Sequence, residues 1–151
     1  MTNNKNIDNL QMIVTNLAKQ ADGHFIQAKI FEAKGFLKLA EKYKEHTEGD
    51  RGYVEKCIDR VIDLEGKVKL EDKQGVEIFE NPVDFIKYDL QVSVNGLKLL
   101  KDMLNDAKDD LTTFDLLKDY YKDEEEDMYW GEQQLEIIEM IGVQNWSIKQ
   151  M

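Results

Sequence analysis

Proline occurs only once in the 151 residues of this chain, at Pro82. Because proline interrupts helices and is common in turns, a chain with so little of it favours long helices over the short strands and frequent turns of an all-β domain. Asn81 and Pro82 together form a strong helix start, with an N-cap residue followed by proline at the first helical position. We therefore predict an all-α protein.

Capping residues and glycines divide the chain into five predicted helices. Asp8 is a candidate N-cap for the first helix, and Thr112 or Thr113 for the fourth. Gly35 and Gly66 are candidate stops for the first and second helices. We predict one domain over residues 1–151, because this length leaves no room for two independent cores. The predicted helices span about 8–34, 36–65, 82–109, 112–141 and, as a short fifth helix, 143–150.

Connection lengths predict the topology. Few residues join the first helix to the second and the third to the fourth, so each pair is predicted to form an antiparallel hairpin. Residues 67–80 are too long for a tight turn and contain apolar side chains that would be costly to leave in water. We predict a four-helix bundle with one long crossover that packs on it. The apolar crossover residues are Val68, Leu70, Val76, Ile78 and Phe79.

Charge and composition limit the partners. The chain has 20 Lys and Arg against 31 Asp and Glu, a net charge of −11, which repels nucleic-acid backbones and anionic membrane surfaces. No apolar run approaches the roughly 20 residues of a membrane span, and the first residues lack the apolar segment of a signal peptide. The single cysteine, Cys57, cannot form an internal disulfide. We expect a cytoplasmic protein without nucleic-acid or membrane partners.

Polar residues interrupt the inward apolar stripe of each long helix near its middle. From the first helix to the fourth they are His24, Asp50 with Tyr53 beside it, Ser93, and Glu124 with Asp127. Carboxylates that converge in a low-dielectric core repel one another unless they are protonated, hydrated or bridged by a cation. Carboxylates with one imidazole suit iron or manganese. The alternative for any one acid is a position at the edge of its stripe, in water.

Several segments resemble the bacterioferritin family. The longest, Asp123–Trp146 (DEEEDMYWGEQQLEIIEMIGVQNW), resembles the fourth helix and tail of that family. Shorter resemblances lie at Ala28–Glu41, Asp59–Gly66 and, in the third helix, Tyr88–Gly96. The resemblance covers most of the chain. It implies a ferritin-like bundle and a homo-oligomeric shell of 24 subunits that stores ferric mineral.

The resemblance also implies where a di-iron centre would lie. Such a centre takes one Glu from each of two helices and a Glu-x-x-His pair from each of the other two. Carried over residue by residue, the six ligand positions fall on Leu17, Asp50, Tyr53, Ser93, Glu124 and Asp127. Only Glu124 is the residue that the family has. We therefore expect a degenerate site with weak or absent ferroxidase activity.

His24 falls where the family usually has a tyrosine next to the metals. One interpretation is a residual mononuclear iron site built from His24, Asp50, Glu124 and Asp127. A second is an imidazole paired with a buried aspartate in a polar network, and a third is that these side chains are too exposed to interact. His46, four residues before Asp50, could also hold a metal, but on a charged helix we interpret it as solvated.

Arg51 falls on the position of the family's haem-binding methionine, and a guanidinium does not bind haem iron. We therefore expect no haem. We interpret the sequence as a whole as a bacterioferritin-like subunit of an iron-storage shell. A catalytically active ferritin subunit is a further candidate partner for this chain. The rival interpretation is a non-catalytic ferritin-like scaffold with a different ligand or protein partner.

Overall fold

A computed structural model describes residues 2–151, with side chains from Asn4 onward, as a bundle of helices. In chain order they are α1 (Thr2–Ala33), α2 (Leu37–Asp63), α3 (Pro82–Asp106), α4 (Leu111–Ile141) and α5 (Val143–Lys149). These described residues include no β-strand, which confirms the all-α prediction. Helix α1 packs along α2, and α3 along α4, so the two predicted hairpins are present. Met1, the first residue of the predicted domain, lies outside the described residues.

The start of α3 and the end of α1 follow the predicted chemistry. The Asn81 side chain accepts hydrogen bonds from the Val83 and Asp84 amides, at 2.9 and 3.1 Å, with Pro82 in the first turn. Gly35 has φ +88°, a conformation that favours glycine and ends α1.

The starts of α1 and α4 differ from the prediction. Helix α1 begins at Thr2, so Asp8 lies within the helix and is not its cap. Helix α4 is capped by Asp110, whose carboxylate accepts from the Thr113 amide at 3.2 Å. Arg60 on α2 donates to Asp110 at 2.9 Å and joins the cap to the neighbouring hairpin. A carboxylate that also pairs with a guanidinium therefore caps the helix in place of the predicted threonine hydroxyl.

Gly66 has a different role from the one predicted. The residue with positive φ after α2 is Glu65, at +62°. A Cβ at Gly66 would lie 3.0 Å from side-chain atoms of both Ile7 and Val61. Glycine is needed here because α1 and α2 approach this backbone closely, and not because of its dihedral angle.

Two glutamines of α1 hold the crossover. The side-chain amide of Gln11 donates to the Lys69 carbonyl at 3.0 Å, and its oxygen accepts from the Lys69 amide at 2.8 Å. Gln27 makes the same pair of bonds with Phe79, at 2.9 and 2.7 Å. The irregular segment 67–80 is thus tied to α1 at both ends.

The apolar residues of the crossover have different surroundings. Val68 and Phe79 pack against the core of the bundle, and Val76 lies against Gly23 of α1. Leu70 and Ile78, in contrast, are 94% and 39% exposed, so the prediction that they pack on the bundle is wrong. Residues 69–75 are all exposed, although the Glu71 carboxylate accepts hydrogen bonds from Gln11 and Thr15 of α1, at 3.2 and 2.9 Å.

Two apolar clusters fill the ends of the bundle. Cluster 1 is built around Leu10, Leu17, Cys57, Val61, Leu100 and Leu117. Cluster 2 is built around Phe31, Leu39, Tyr43, Phe85, Ile86 and Trp146, the last contributed by α5. Between the two clusters, the four long helices contribute buried polar side chains that form a polar layer, with the partly exposed Asp89 and Asp127 at its edge. The buried members are His24, His46, Asp50, Ser93 and Glu124. In the described part of the chain, no helix is both long and apolar enough to cross a membrane.

Candidate metal centre

His24 on α1 lies between two aspartates in the polar layer. Its Nδ1 is 2.6 Å from Oδ2 of Asp50 on α2, and its Nε2 is 2.9 Å from Oδ1 of Asp89 on α3. Burial alone would lower the pKa of His24, but the two carboxylates outweigh it and raise this pKa well above its ordinary value. With a carboxylate oxygen within hydrogen-bond distance of each ring nitrogen, the ring donates to both aspartates when it carries a proton on each nitrogen.

Of the interpretations of His24, the structure shows the pairing with a buried aspartate. Asp50 is that partner, whereas Asp89 was not among the predicted site residues. A signal for Asp89 exists in the sequence, because it lies one helical turn before Ser93 on the same face of α3.

His46 lies inside the polar layer, so its interpretation as a solvated histidine is wrong. It is 8% exposed and packs against the rings of Tyr43 and Trp130, with ring centroids 5.2 and 6.0 Å away. Among the residues that the structure describes, the nearest carboxylate oxygen is Oδ1 of Asp127, 3.5 Å from its Nε2, and this buried nitrogen has no hydrogen-bond partner. Burial, with the nearby charge of His24, lowers the pKa of His46 to about 3, so the ring is neutral.

Glu124 and Asp127 bring two more carboxylates to the layer from α4. Burial raises the pKa of Glu124 to about 7, opposed by a hydrogen bond from Ser93 and aided by the charges of Asp127 and Asp50. Burial also raises the pKa of Asp127 to about 7, with a further contribution from Asp50. The alternative of a position in water therefore fails for Glu124 and Asp50, which are buried, while the Asp127 side chain is 33% exposed.

The polar layer can be reached from two opposite faces of the bundle. Between α2 and α4 there is an open cleft of about 280 Å³, lined by the acidic side chains together with His46. Between α1, α3 and the crossover there is a smaller cavity of about 100 Å³, lined by His24 and Asp89 among others.

The six positions implied by the resemblance do not form one ligand set. Leu17 is 1% exposed and belongs to cluster 1, and the Tyr53 hydroxyl donates to Asp123. Ser93 is buried next to Glu124 and offers a hydroxyl where a carboxylate would be needed. A bridged pair of irons does not fit these residues, because three of the six positions lack a carboxylate or imidazole.

Arg51 lies on the surface of α2, where its guanidinium is 3.2 Å from Asp22 on α1. The expectation that the chain binds no haem stays a prediction.

Comparisons with known proteins agree with this architecture. The ferritin-like domain matches residues 7–141 of the chain. A bacterial ferritin of Neisseria meningitidis serogroup B is 30% identical over 148 residues, which cover 96% of each chain. A bacterial ferritin of Synechocystis is 28% identical over 133 residues, 86% of this chain and 85% of the relative. A bacterioferritin of Rhodobacter capsulatus is 24% identical over 127 residues, 83% and 79% of the two chains. The chain therefore belongs to the ferritin-like family.

Proposed function

We propose that the protein is a cytoplasmic subunit of a hollow iron-storage assembly, with weak or absent ferroxidase activity of its own. The observation that supports this function most strongly is its 30% identity to a bacterial ferritin over 96% of both chains. Iron is then the cargo of the assembly. We propose a homo-oligomer of 24 subunits, with a shell shared with an active ferritin subunit as the alternative assembly.

Weak oxidation follows from the ligands. Oxidation by a bridged pair of ferrous ions needs carboxylates from several helices and two imidazoles. Leu17 and Ser93 supply no carboxylate, and Tyr53 supplies a phenol where an imidazole would be. We propose that one ferrous ion is held instead, by donors drawn from His24, Asp50, Glu124 and Asp127, which supply three carboxylates and one imidazole.

One observation favours the scaffold as a second candidate function. His24 already has a carboxylate on each ring nitrogen, and such a pairing satisfies buried polar groups without a metal. In a scaffold the polar layer would serve stability, and the cargo or partner would bind elsewhere.

Light scattering on the purified protein, coupled to size-exclusion chromatography, tests the storage role. We expect a shell-sized particle that retains iron after ferrous loading in air and removal of free iron. A monomer or dimer at micromolar concentration in physiological salt would contradict the storage function. A large particle that retains no iron would favour the scaffold.

Stopped-flow absorbance tests the oxidation. We expect slow oxidation of ferrous iron, without a fast phase of two ions per chain. A variant that restores the family's ligands should be faster, if its melting temperature shows that it folds. Its substitutions are Leu17→Glu, Tyr53→His, Ser93→Glu and Asp127→His. A saturable burst of two ferrous ions per chain in the unmodified protein, abolished by Glu124→Ala, would contradict the degenerate site.

A further inference from the structure

Three side chains from three helices converge at one point of the polar layer. One potential ligand atom each of His24, His46 and Asp89 lies within 4.8 Å of the other two. The rings of His24 and His46 meet edge to face, with centroids 5.4 Å apart. Only two histidines occur in the whole chain, and both are at this point.

The unpaired nitrogen of His46 is a second, independent observation in favour of a metal site at this point. This nitrogen, Nε2, is buried and lacks a hydrogen-bond partner among the described residues. A polar network that served stability alone would satisfy such a nitrogen, because an unpaired buried polar atom is destabilising. An imidazole nitrogen without a hydrogen-bond partner is instead available to bind a metal.

The orientation of the His24 ring also supports a metal site. Its Nδ1 is fixed by the Asp50 carboxylate at 2.6 Å, which leaves Nε2 directed at Asp89. A carboxylate behind one ring nitrogen is the usual device that orients a metal-bound imidazole. Asp50 therefore suits a positioning role, with Nε2 as the ligand atom.

We propose that the chain binds one divalent transition-metal ion between His24, His46 and Asp89, displaced along the bundle from the metal position that the family resemblance implies. His46 lies one helical turn before Asp50, and Asp89 lies one helical turn before Ser93. His24 lies two turns after Leu17. All three displacements run from cluster 1 toward cluster 2. The shift is four residues on α2 and α3 and seven residues on α1. Because Nε2 of His24 can bind only one ion, this centre is an alternative to a site built from His24, Asp50, Glu124 and Asp127. This inference needs only the donor set and does not depend on the storage role.

The donors select the class of ion. Two imidazoles with a carboxylate suit first-row transition ions such as Fe²⁺, Co²⁺ and Zn²⁺, whereas Mg²⁺ and Ca²⁺ prefer oxygen ligands. The neighbouring acids Asp50, Glu124 and Asp127 favour a divalent cation in their ionised forms. An ion that enters replaces the Nε2 proton of His24, so one proton leaves on binding.

An anaerobic titration of the full chain with Co²⁺ tests this centre, followed by visible absorption and calorimetry. We expect one Co²⁺ per chain, a spectrum with nitrogen ligation, and no displacement by excess Mg²⁺. His46→Gln and Asp89→Asn should each weaken binding at least about tenfold. Two matched controls should leave the affinity within about twofold. They are Tyr53→Phe, at an implied ligand position, and Asp123→Asn, which changes a carboxylate of the cleft between α2 and α4.

His46→Gln is preferred to a His24 variant, because removal of His24 would leave Asp50 and Asp89 facing each other without their cation. Circular dichroism and melting temperature confirm that each variant folds. Unmodified protein that does not bind Co²⁺ would overturn the proposal. So would Co²⁺ binding that survives both His46→Gln and Asp89→Asn and is lost in Glu124→Gln. The storage role is measured separately, by particle size and retained iron.

Discussion

Leu17 shows how thoroughly a residue at an implied ligand position can become part of an apolar core. It is 1% exposed within cluster 1, so Leu17→Ala should lower the free energy of unfolding by about 2–5 kcal/mol. Leu37→Ala is the matched control, because Leu37 is 59% exposed and its truncation removes little packing. Urea denaturation of both variants measures the difference, and equal losses would show that Leu17 is not a packing residue.

Arg51 leads to a prediction about haem. Its guanidinium is charged and lies near Asp22 at the surface, and it offers no ligand for haem iron. Protein expressed with ample haem should therefore lack the Soret spectrum of bis-methionine coordination. A stoichiometric low-spin haem that disappears when a methionine is replaced would contradict this prediction.

The residues of the polar layer were only partly predictable from sequence. His24, Asp50 and Glu124 interrupt clear apolar stripes, and all three are buried. Asp89 was missed because Leu90 fits the same stripe, and neighbouring helical residues are separated by only about 100° of rotation. His46 was misinterpreted because its surroundings in sequence are charged, while its surroundings in space are the aromatic rings of other helices.

Among the helices, α4 has a cap whose energy can be measured. Asp110→Ala removes a carboxylate that bonds the Thr113 amide and pairs with Arg60, so it should lower the unfolding free energy by about 1–2 kcal/mol. Asp115→Ala, an exposed acid in the first turns of the same helix, is the control. Similar losses in the two variants would contradict the capping role.

The same cap predicts a dependence on pH. Burial raises the pKa of Asp110, but hydrogen bonds from Thr113 and the charge of Arg60 outweigh it and lower this pKa below its ordinary value. A lowered folded-state pKa contributes stability above the unfolded-state pKa of about 3.9 and loses it as the pH falls through the folded-state value. The stability difference between wild type and Asp110→Ala should therefore shrink on acidification from pH 7. A constant difference in denaturation experiments would contradict the pairing.

Helix existence was easier to predict than helix ends. Asn81 with Pro82 located the start of α3, because the cap and the fixed proline dihedral act within a few residues. The start of α1 was placed at Asp8 because that acid is a good cap in isolation, yet the helix continues back to Thr2. Ile7 packs against cluster 1, so tertiary contacts favour helix where the local signal indicated its beginning.

At the scale of the whole molecule, two apolar clusters hold a polar layer between them. The clusters could be predicted from periodicity, because each helix repeats the same stripe on both sides of its polar interruption. The distances between side chains across the polar layer could not be predicted, because they depend on how far each helix is shifted along its neighbours. The predicted crossover topology is confirmed. The exposure of Leu70 could not be predicted, because it depends on where Gln11 and Gln27 bind the crossover backbone.

The two glutamine anchors determine how much chain the crossover needs. Gln11 and Gln27 are sixteen residues apart on α1, about 24 Å at 1.5 Å per residue. Lys69 and Phe79 are ten residues apart and can span about 33 Å when extended. The segment therefore has about 9 Å of slack. Deletion of two residues from 72–74 should leave the melting temperature within about 2 °C, whereas Gln27→Ala should lower it more, as calorimetry would measure.

A deletion that destabilised the protein more than Gln27→Ala would show that the segment is taut. A slack connection transmits no tension, so the relative position of the two hairpins is set by their packing alone. The crossover is then a tether of adjustable length, and the exposed stretch around Gly75 is a place where the chain can be lengthened, tagged or cut without disturbing the polar layer.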